Sequence, residues 1–156
     1  MVLETIATIG VEKVVFGLFE KMYSEPKKQK TYAYWSIEYG LKSFILNWGN
    51  FSKLNLANKS VFETGKEIAK VHEDLLMTIL LRTDGIAKKA IIENLNNVCF
   101  ELKKLCNFLG SINDHSKYFE QGNEIVKVAV GILANVCRET KNNKSIIDPY
   151  NHKYYR

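Results

Sequence analysis

The chain has 156 residues, 46% of them hydrophobic and 25% charged, which is the balance of one globular domain with an ordinary core. The net charge of +5 favours anionic partners, such as nucleic acid or an anionic membrane face. Three widely spaced cysteines predict no disulfide framework, and the start of the chain lacks a signal-peptide pattern. No run of about 18 uncharged apolar residues predicts a permanent transmembrane span. From these observations we expect a cytoplasmic protein.

Apolar residues recur at helical spacing in five segments, which predicts an all-α fold, an antiparallel bundle of four to five helices over residues 1–140. The first helix is expected from Leu3 to Tyr23, and Ser24-Glu25-Pro26 ends it because proline disfavours helix in the residue before it. After a basic linker at residues 27–30, the second helix is expected from Thr31 to Lys53. Its inward stripe is Ile37, Leu41, Phe44, Ile45, Trp48 and Phe51.

A capping box, Ser60-Val61-Phe62-Glu63, predicts the start of the third helix. Thr83-Asp84-Gly85 is expected to end it, with Asp84 as the cap of the fourth helix, although one continuous helix is the alternative. Gly110 is expected to stop the fourth helix, the fifth is expected from Ser116 to Thr140, and residues 141–156 are predicted to be a polar basic tail or linker. The inward stripes are Ile68, Val71, Leu75, Ile79 and Leu80 in the third helix, Ile91, Leu95, Val98, Leu102, Leu105 and Leu109 in the fourth, and Phe119, Val126, Ala129, Leu133 and Val136 in the fifth.

Metal and catalytic patterns fail at identifiable positions, so we expect no enzyme, no metal and no cofactor. None of the three histidines follows a glutamate by three residues, as the ligand pairs of di-iron bundles do. Cys99 and Cys106 are separated by two helical turns, roughly 10 Å, which is too far for one tetrahedral metal, and we expect both to be buried. The polar cluster His72-Glu73-Asp74 is expected on a solvated helix face, because adjacent helical residues point in different directions.

A helical scaffold or small subunit that binds protein or nucleic acid is the alternative function. Lysines are available to contact phosphates, and aromatic side chains near the start of the second helix are available to stack on bases. Those aromatic residues lie beside the inward stripe, however, which favours core packing over nucleic-acid binding. The lysines are Lys27, Lys28, Lys30, Lys88, Lys89, Lys103 and Lys104, and the aromatic residues are Tyr32, Tyr34, Trp35 and Tyr39.

The first helix is apolar almost all the way round, since Ile9, Phe16 and Phe19 share the side that carries Glu12 and Glu20. Such a helix is either central in a bundle or suited to lipid, and 21 residues at 1.5 Å each span about 30 Å, the thickness of a bilayer core. Charges near mid-bilayer cost a few kcal/mol each, a cost that an oligomer relieves by turning them toward a wet lumen. The charged residues are Glu4, Glu12, Lys13, Glu20 and Lys21.

A leading apolar helix with scattered carboxylates, followed by a basic bundle of this size, resembles the membrane-targeting cell-death domains. These are the fungal HeLo domain, the prokaryotic Bell domains, the killer domain of the mixed-lineage pseudokinase and the coiled-coil domains of plant immune receptors. Val11-Glu12-Lys13-Val14 with Leu18 is similar to the Val-x-Lys-Leu pattern of the plant leading helix, although Phe16-Gly17-Leu18-Phe19 replaces its paired leucines. His72-Glu73-Asp74-Leu75-Leu76 is similar to an acidic-hydrophobic motif in their third helix.

The resemblance implies a non-enzymatic effector of programmed cell death and innate immunity, which oligomerises and permeabilises membranes through its N-terminal helix. It implies a protein that rests in the cytoplasm, receives a signal from an upstream protein and moves to the inner face of the plasma membrane. The residues expected to insert are Leu3, Ile6, Ile9, Val11, Val14, Phe16, Leu18 and Phe19. The residues expected to contact the anionic surface are Lys27, Lys28 and Lys30.

Overall fold

The computed structural model describes residues 2–54, 59–109 and 115–141, and within them it contains helices and no strand. Side chains are described for residues 10–54, 61–107 and 117–140. The helices are α1 (Val2–Ser24), α2 (Gln29–Phe51), α3 (Lys59–Thr83), α4 (Lys89–Leu109) and α5 (His115–Lys141), with a 3-10 turn at Pro26–Lys28. The predicted all-α bundle is confirmed, and the predicted tail beyond residue 141 lies outside the described residues.

Helices α2 to α5 form a closed ring. Helix α2 packs against α3 and α5, and α4 packs against the same two helices from the opposite side. Helix α1 is the fifth helix and lies along the outside of α2, with only a minor contact to α3. The ring therefore closes without α1, and α2 lies between α1 and the other three helices.

Helix α2, and not α1, is the central helix of the bundle. Every residue from Thr31 to Leu41 is buried, so this part of α2 has no solvent-facing side. The sequence predicted a single inward stripe for α2 and allowed a central position for α1. The predicted stripe of α2 is confirmed, since five of its six residues are buried and Ile45 packs against the core. The structure adds a second buried side to α2, which α1 covers, and α1 itself is not central.

The predicted break between α3 and α4 is confirmed, but the residue predicted to cap α4 does not do so. Gly85 has a φ of +83°, a left-handed conformation that glycine adopts without strain, so α3 and α4 are separate helices. Asp84 lies in this turn, five residues before α4 begins at Lys89, and does not cap it. The backbone N–H of Lys88 instead donates to Tyr34 Oη on α2, at 2.9 Å.

The inward stripes of the last three helices are largely as predicted. The seam of α4 is buried from Ile91 to Leu105, and the side chain of Leu109 lies outside the described residues. In α5 the predicted stripe differs from the buried one at two places. Ile125 and Ile132 are buried, whereas Val126 and Leu133, which were predicted to face inward, are partly buried beside them. The capping side chain of Ser60 and the stop at Gly110 also lie outside the described side chains.

An aromatic cluster closes the end of the bundle where α2 ends and α5 begins. The indole N–H of Trp48 donates to Asn123 Oδ1 at 3.0 Å, and its ring stacks on Phe119 with the centroids 6.3 Å apart. Helix α5 comes this close because Gly122 has no side chain, and a Cβ there would overlap the Trp48 ring. A tryptophan fixed by neighbours on both sides cannot move away from such an atom.

We expect Gly122→Ala to destabilise the bundle by about 1–3 kcal/mol, because the added methyl overpacks the Trp48 contact. Gly131→Ala is the matched control on the same helix, since no atom lies within 4 Å of a Cβ at that position. Alanine favours helix over glycine, so this control should stabilise the protein by about 1 kcal/mol. Urea unfolding of the two variants measures both signs, and equal effects would contradict the packing argument.

Candidate functional site

Helix α1 buries one face against α2 and leaves the other in solvent. The inner face of α1 is fully buried and consists of Val11, Val14, Val15, Leu18 and Met22. On the outer face Phe16 is 49% exposed and Tyr23 is 89% exposed, and Phe19 is partly buried beside them. The structure thus divides the residues expected to insert into membrane: Val11, Val14 and Leu18 lie in the interface with α2, whereas Phe16 meets solvent.

The remaining insertion candidates, Leu3, Ile6 and Ile9, lie on α1 but outside the described side chains. Among the described residues, no helix has the length and apolar character required to cross a bilayer.

An aromatic stripe of Tyr32, Trp35 and Tyr39, spaced i, i+3 and i+7, runs along α2, and we infer that it lies under α1, which packs against this helix. The Lys21 ammonium of α1 lies 6.0 Å from the Tyr32 ring, and the Trp35 and Tyr39 rings are 6.4 Å apart. All three side chains are buried. The expectation that these aromatic residues pack in the core, and are not exposed for stacking on nucleotide bases, is confirmed.

The other sectors of α2 are occupied by the ring, which leaves the aromatic stripe to α1. Ser43 of α2 contacts His72 on α3, and Trp48 contacts Asn123 on α5. Glu38 also faces α5, because its Oε1 accepts a hydrogen bond from the Cys137 thiol at 2.8 Å. The stripe is therefore the one part of the buried segment whose cover is removable without opening the ring.

Glu25 joins the two helices at their junction. Its Oε2 accepts a hydrogen bond from Tyr32 Oη at 3.0 Å, and its carboxylate lies 3.9 Å from Lys21 Nζ and 3.6 Å from Lys28 Nζ. Burial, this hydrogen bond and the negative charge of Glu25 raise the pKa of Tyr32, so its hydroxyl stays a donor. Exposed ion pairs of this kind contribute about 0.2–1 kcal/mol each. They therefore hold the junction of α1 and α2 together only weakly.

The fold collects basic residues from separate segments at one end of the bundle, where α1 and α3 finish and α2 and α4 begin. Arg82 of α3 reaches over the Phe19 ring of α1 at 5.8 Å, and the turn before α4 touches α2 through Tyr34. Lys103 and Lys104 lie toward the opposite end of α4 and do not belong to this surface. Helix α5 also ends here, and its Glu139 pairs with Lys88 at 2.6 Å, as Glu25 pairs with Lys28 at 3.6 Å. The basic end consists of Lys27, Lys28, Lys30, Arg82, Lys88 and Lys89.

His72 is buried, which corrects the expectation of a solvated face for this residue, whereas Asp74 of the same cluster is exposed as expected. Its Nδ1 lies 2.8 Å from the Ile68 carbonyl, and since a carbonyl only accepts, Nδ1 carries the proton. Nε2 is then an acceptor, 2.9 Å from Ser43 Oγ and 3.3 Å from Asn47 Nδ2. A hydroxyl beside a histidine has the geometry of a nucleophile and base, but both side chains are 1% exposed, so this contact joins α2 to α3 in the core.

Burial lowers the pKa of His72 in the folded protein from 6.5 to about 4, against the weaker opposite effect of its bond to the Ile68 carbonyl. The unfolded chain therefore binds a proton that the folded chain does not. The free energy of unfolding should be fully retained above pH 6.5 and should fall as the pH approaches 4, by up to about 3 kcal/mol from this group. Urea unfolding at both pH values measures the loss.

The variant His72→Gln is the control, because its amide hydrogen-bonds without titrating. It should retain only the part of the pH dependence that arises from carboxyl groups. An identical fall in the wild type and the variant would contradict the role assigned to His72.

Two of the three cysteines, Cys99 and Cys106, lie where their thiols stay protonated. Burial raises the pKa of Cys99 to about 12, and burial together with Glu73 raises the pKa of Cys106 to about 12, so neither is a thiolate at neutral pH. Burial of Cys99 is confirmed, and Cys106 is half-buried. Among the described residues, no three His, Cys, Asp or Glu side chains are grouped to hold a metal ion.

Comparison of the chain with protein-family models, with curated proteins and with solved structures found no match. The resemblance to cell-death domains stays a prediction from the sequence.

Proposed function

We propose that this chain is a non-enzymatic effector domain that oligomerises and permeabilises membranes when α1 leaves the bundle. The observation that carries the proposal is the position of α1 outside a closed ring of four helices. Departure of α1 leaves every contact around the ring in place, whereas departure of α2, α3, α4 or α5 opens it. A removable apolar helix is what an insertion mechanism requires.

Release of α1 into water is strongly disfavoured, which supports a resting state that needs a trigger. Exposing the five buried side chains of its inner face costs roughly 1.5–3 kcal/mol each, on the order of 10 kcal/mol together. The aromatic stripe of α2 would be exposed at the same time. Lipid, neighbouring copies of the chain or an upstream signalling protein must replace this burial, so release is coupled to a partner.

The charges of α1 favour an oligomer over insertion of a single helix. Glu12, Lys13, Glu20 and Lys21 lie on the helix among its apolar side chains. An assembly that faces them toward a water-filled lumen avoids the cost of placing them in hydrocarbon. We therefore propose a homo-oligomer as the active form, on the inner face of the plasma membrane.

The basic end supplies the contact with anionic lipid. Lys27, Lys28 and Lys30 are exposed and lie next to the last turn of α1. A lipid phosphate that attracts Lys28 competes with its ion pair to Glu25, the residue that joins α1 to α2. Membrane contact at this end would thus loosen the junction at which α1 must separate.

The alternative function, a helical scaffold or small subunit that binds protein or nucleic acid, has less support for the nucleic-acid part. The aromatic residues that would stack on bases are buried in the bundle, so the lysines alone are available. Binding of single-stranded RNA without dye release from vesicles would favour this alternative.

Dye release from vesicles of phosphatidylcholine and phosphatidylserine tests the proposal, with the chain fused to an inducible oligomerisation tag. Phe16→Glu should reduce release about tenfold or more, because it adds a charge to the inserting helix. Phe16 is 49% exposed, so this substitution should change the free energy of unfolding by only about 0.5 kcal/mol.

Phe100→Glu is the matched control, because Phe100 is 60% exposed on α4, away from α1, and its substitution should leave release unchanged. Leu18→Glu is less informative, because Leu18 is fully buried against α2 and its substitution disturbs the resting fold. No release by the oligomerised wild type, or equal release by the Phe16 and Phe100 variants, would contradict the proposal.

The two tryptophans of the chain separate release of α1 from unfolding of the ring. Trp35 belongs to the aromatic stripe that we infer lies under α1, whereas Trp48 lies between α2 and α5. We expect anionic vesicles to change the emission and the iodide quenching of Trp35, observed alone in the variant Trp48→Phe. The variant Trp35→Phe, which reports on Trp48, should show no change. Parallel changes at both tryptophans would indicate unfolding of the bundle and contradict selective release.

A further inference from the structure

A small cavity of about 190 Å³ lies at the basic end, where three segments of the chain meet. Helix α1, the start of α2, and the end of α3 with the turn after it each contribute walls. The lining residues are Phe19, Met22, Tyr23, Gln29, Arg82 and Ile86. Because α1 supplies half of these residues, the cavity exists only while α1 is docked.

The walls combine apolar surface with one cation. Met22 is buried and Ile86 is partly buried, so they form an apolar floor, and Tyr23 stands at the rim with 89% exposure. The Arg82 guanidinium lies over the Phe19 ring at 5.8 Å, and within the described part of the chain no ion pair joins it to a carboxylate. A planar guanidinium held on an aromatic ring keeps its N–H groups available for a phosphate.

Size and charge limit what the cavity can hold. Pockets for drug-sized ligands measure about 300–1,000 Å³, so this one has room for a phosphate group and one small ring or short alkyl group. Lys28 and Lys30 flank Gln29 in sequence, but Lys28 is paired with Glu25, so recognition of an anion rests on Arg82, the one charged residue among those that line the cavity. An anion with a compact apolar part would pack against the apolar floor and pair with the Arg82 guanidinium.

We propose that this cavity binds a small phosphate monoester with an apolar substituent, and that the bound ligand holds α1 on the bundle. Arg82 contacts the phosphate, and Phe19 and Tyr23 pack against the apolar part. A ligand that touches both α1 and α3 binds the docked form alone, and stabilises it in proportion to the logarithm of one plus the ligand concentration over its Kd. The binding stands on the cavity itself, whereas the control of α1 rests on the proposed membrane function.

Titration calorimetry of the full chain with phenyl phosphate tests the site. For a ligand of about ten heavy atoms we expect a Kd on the order of 1 mM or tighter at low salt. Inorganic phosphate carries only the anionic group and phenol only the aromatic ring, so each should bind about tenfold more weakly than phenyl phosphate. Arg82→Gln should weaken phenyl phosphate binding about tenfold, and Arg82→Lys should restore part of it.

Arg138→Gln is the control, because Arg138 is exposed on α5, contacts Asn135 and does not line the cavity. It should bind phenyl phosphate like the wild type. No heat of binding at about 10 mM phenyl phosphate, equal binding of phenol, or equal weakening by the Arg82 and Arg138 substitutions would each overturn the site.

A lipid headgroup and a free ester are the two sources of such a phosphate, and vesicles distinguish them. Binding to vesicles that contain phosphatidic acid, competed by phenyl phosphate and lost in Arg82→Gln, assigns the site to lipid. Binding of phenyl phosphate without that competition assigns it to a free ester.

Saturating phenyl phosphate should also slow dye release and protect Trp35 from iodide. If it binds through Arg82 while the oligomerised chain releases no dye under any condition, the site stands and the membrane function fails. If dye is released and phenyl phosphate binds without slowing it, the control of α1 is overturned and the membrane function stands.

Discussion

Residues Thr31–Leu41 of α2 are buried without interruption, and the rest of the bundle follows from the need to cover and satisfy them. Helices α3 and α5 of the ring cover one side of α2, and α1 covers the other. Two polar side chains inside this segment, Ser36 and Glu38, have hydrogen-bond partners locally or across an interface. The Ser36 hydroxyl donates to the Ala33 carbonyl, and the buried Glu38 carboxylate accepts from Cys137 and lies 3.8 Å from Lys42 Nζ.

This arrangement gives α1 a role unlike that of the other helices. It is required in water, because the aromatic stripe would otherwise be exposed, yet no contact around the ring depends on it. Partial opening at α1 therefore has a lower free energy than unfolding of the whole bundle, which is the condition for a local conformational change. The weak ion pairs of Glu25 place the point of opening at the junction with α2.

The basic end places positive charge beside the point where α1 would separate from α2. The junction of α1 and α2, the guanidinium of Arg82 and the turn capped by Tyr34 all lie there. In the mechanism that we propose, anions that bind at this end have opposite effects according to the residues they contact. An anion that takes Lys28 away from Glu25 would favour release of α1, and one that bridges Arg82 and α1 inside the cavity would oppose it.

The sequence by itself determined the helical segments and the inward stripe of α4 and favoured a break at Gly85 over one continuous helix, because helical periodicity and turn chemistry are local properties. Only the tertiary structure decided which helix is central, since α2 has α1, α3 and α5 as neighbours whereas α1 packs mainly against α2. Burial of His72 was equally hidden, because it depends on Ser43 and Asn47 of another helix. The cavity joins Phe19 to Arg82, more than sixty residues apart in the sequence, and helix packing alone sets that distance.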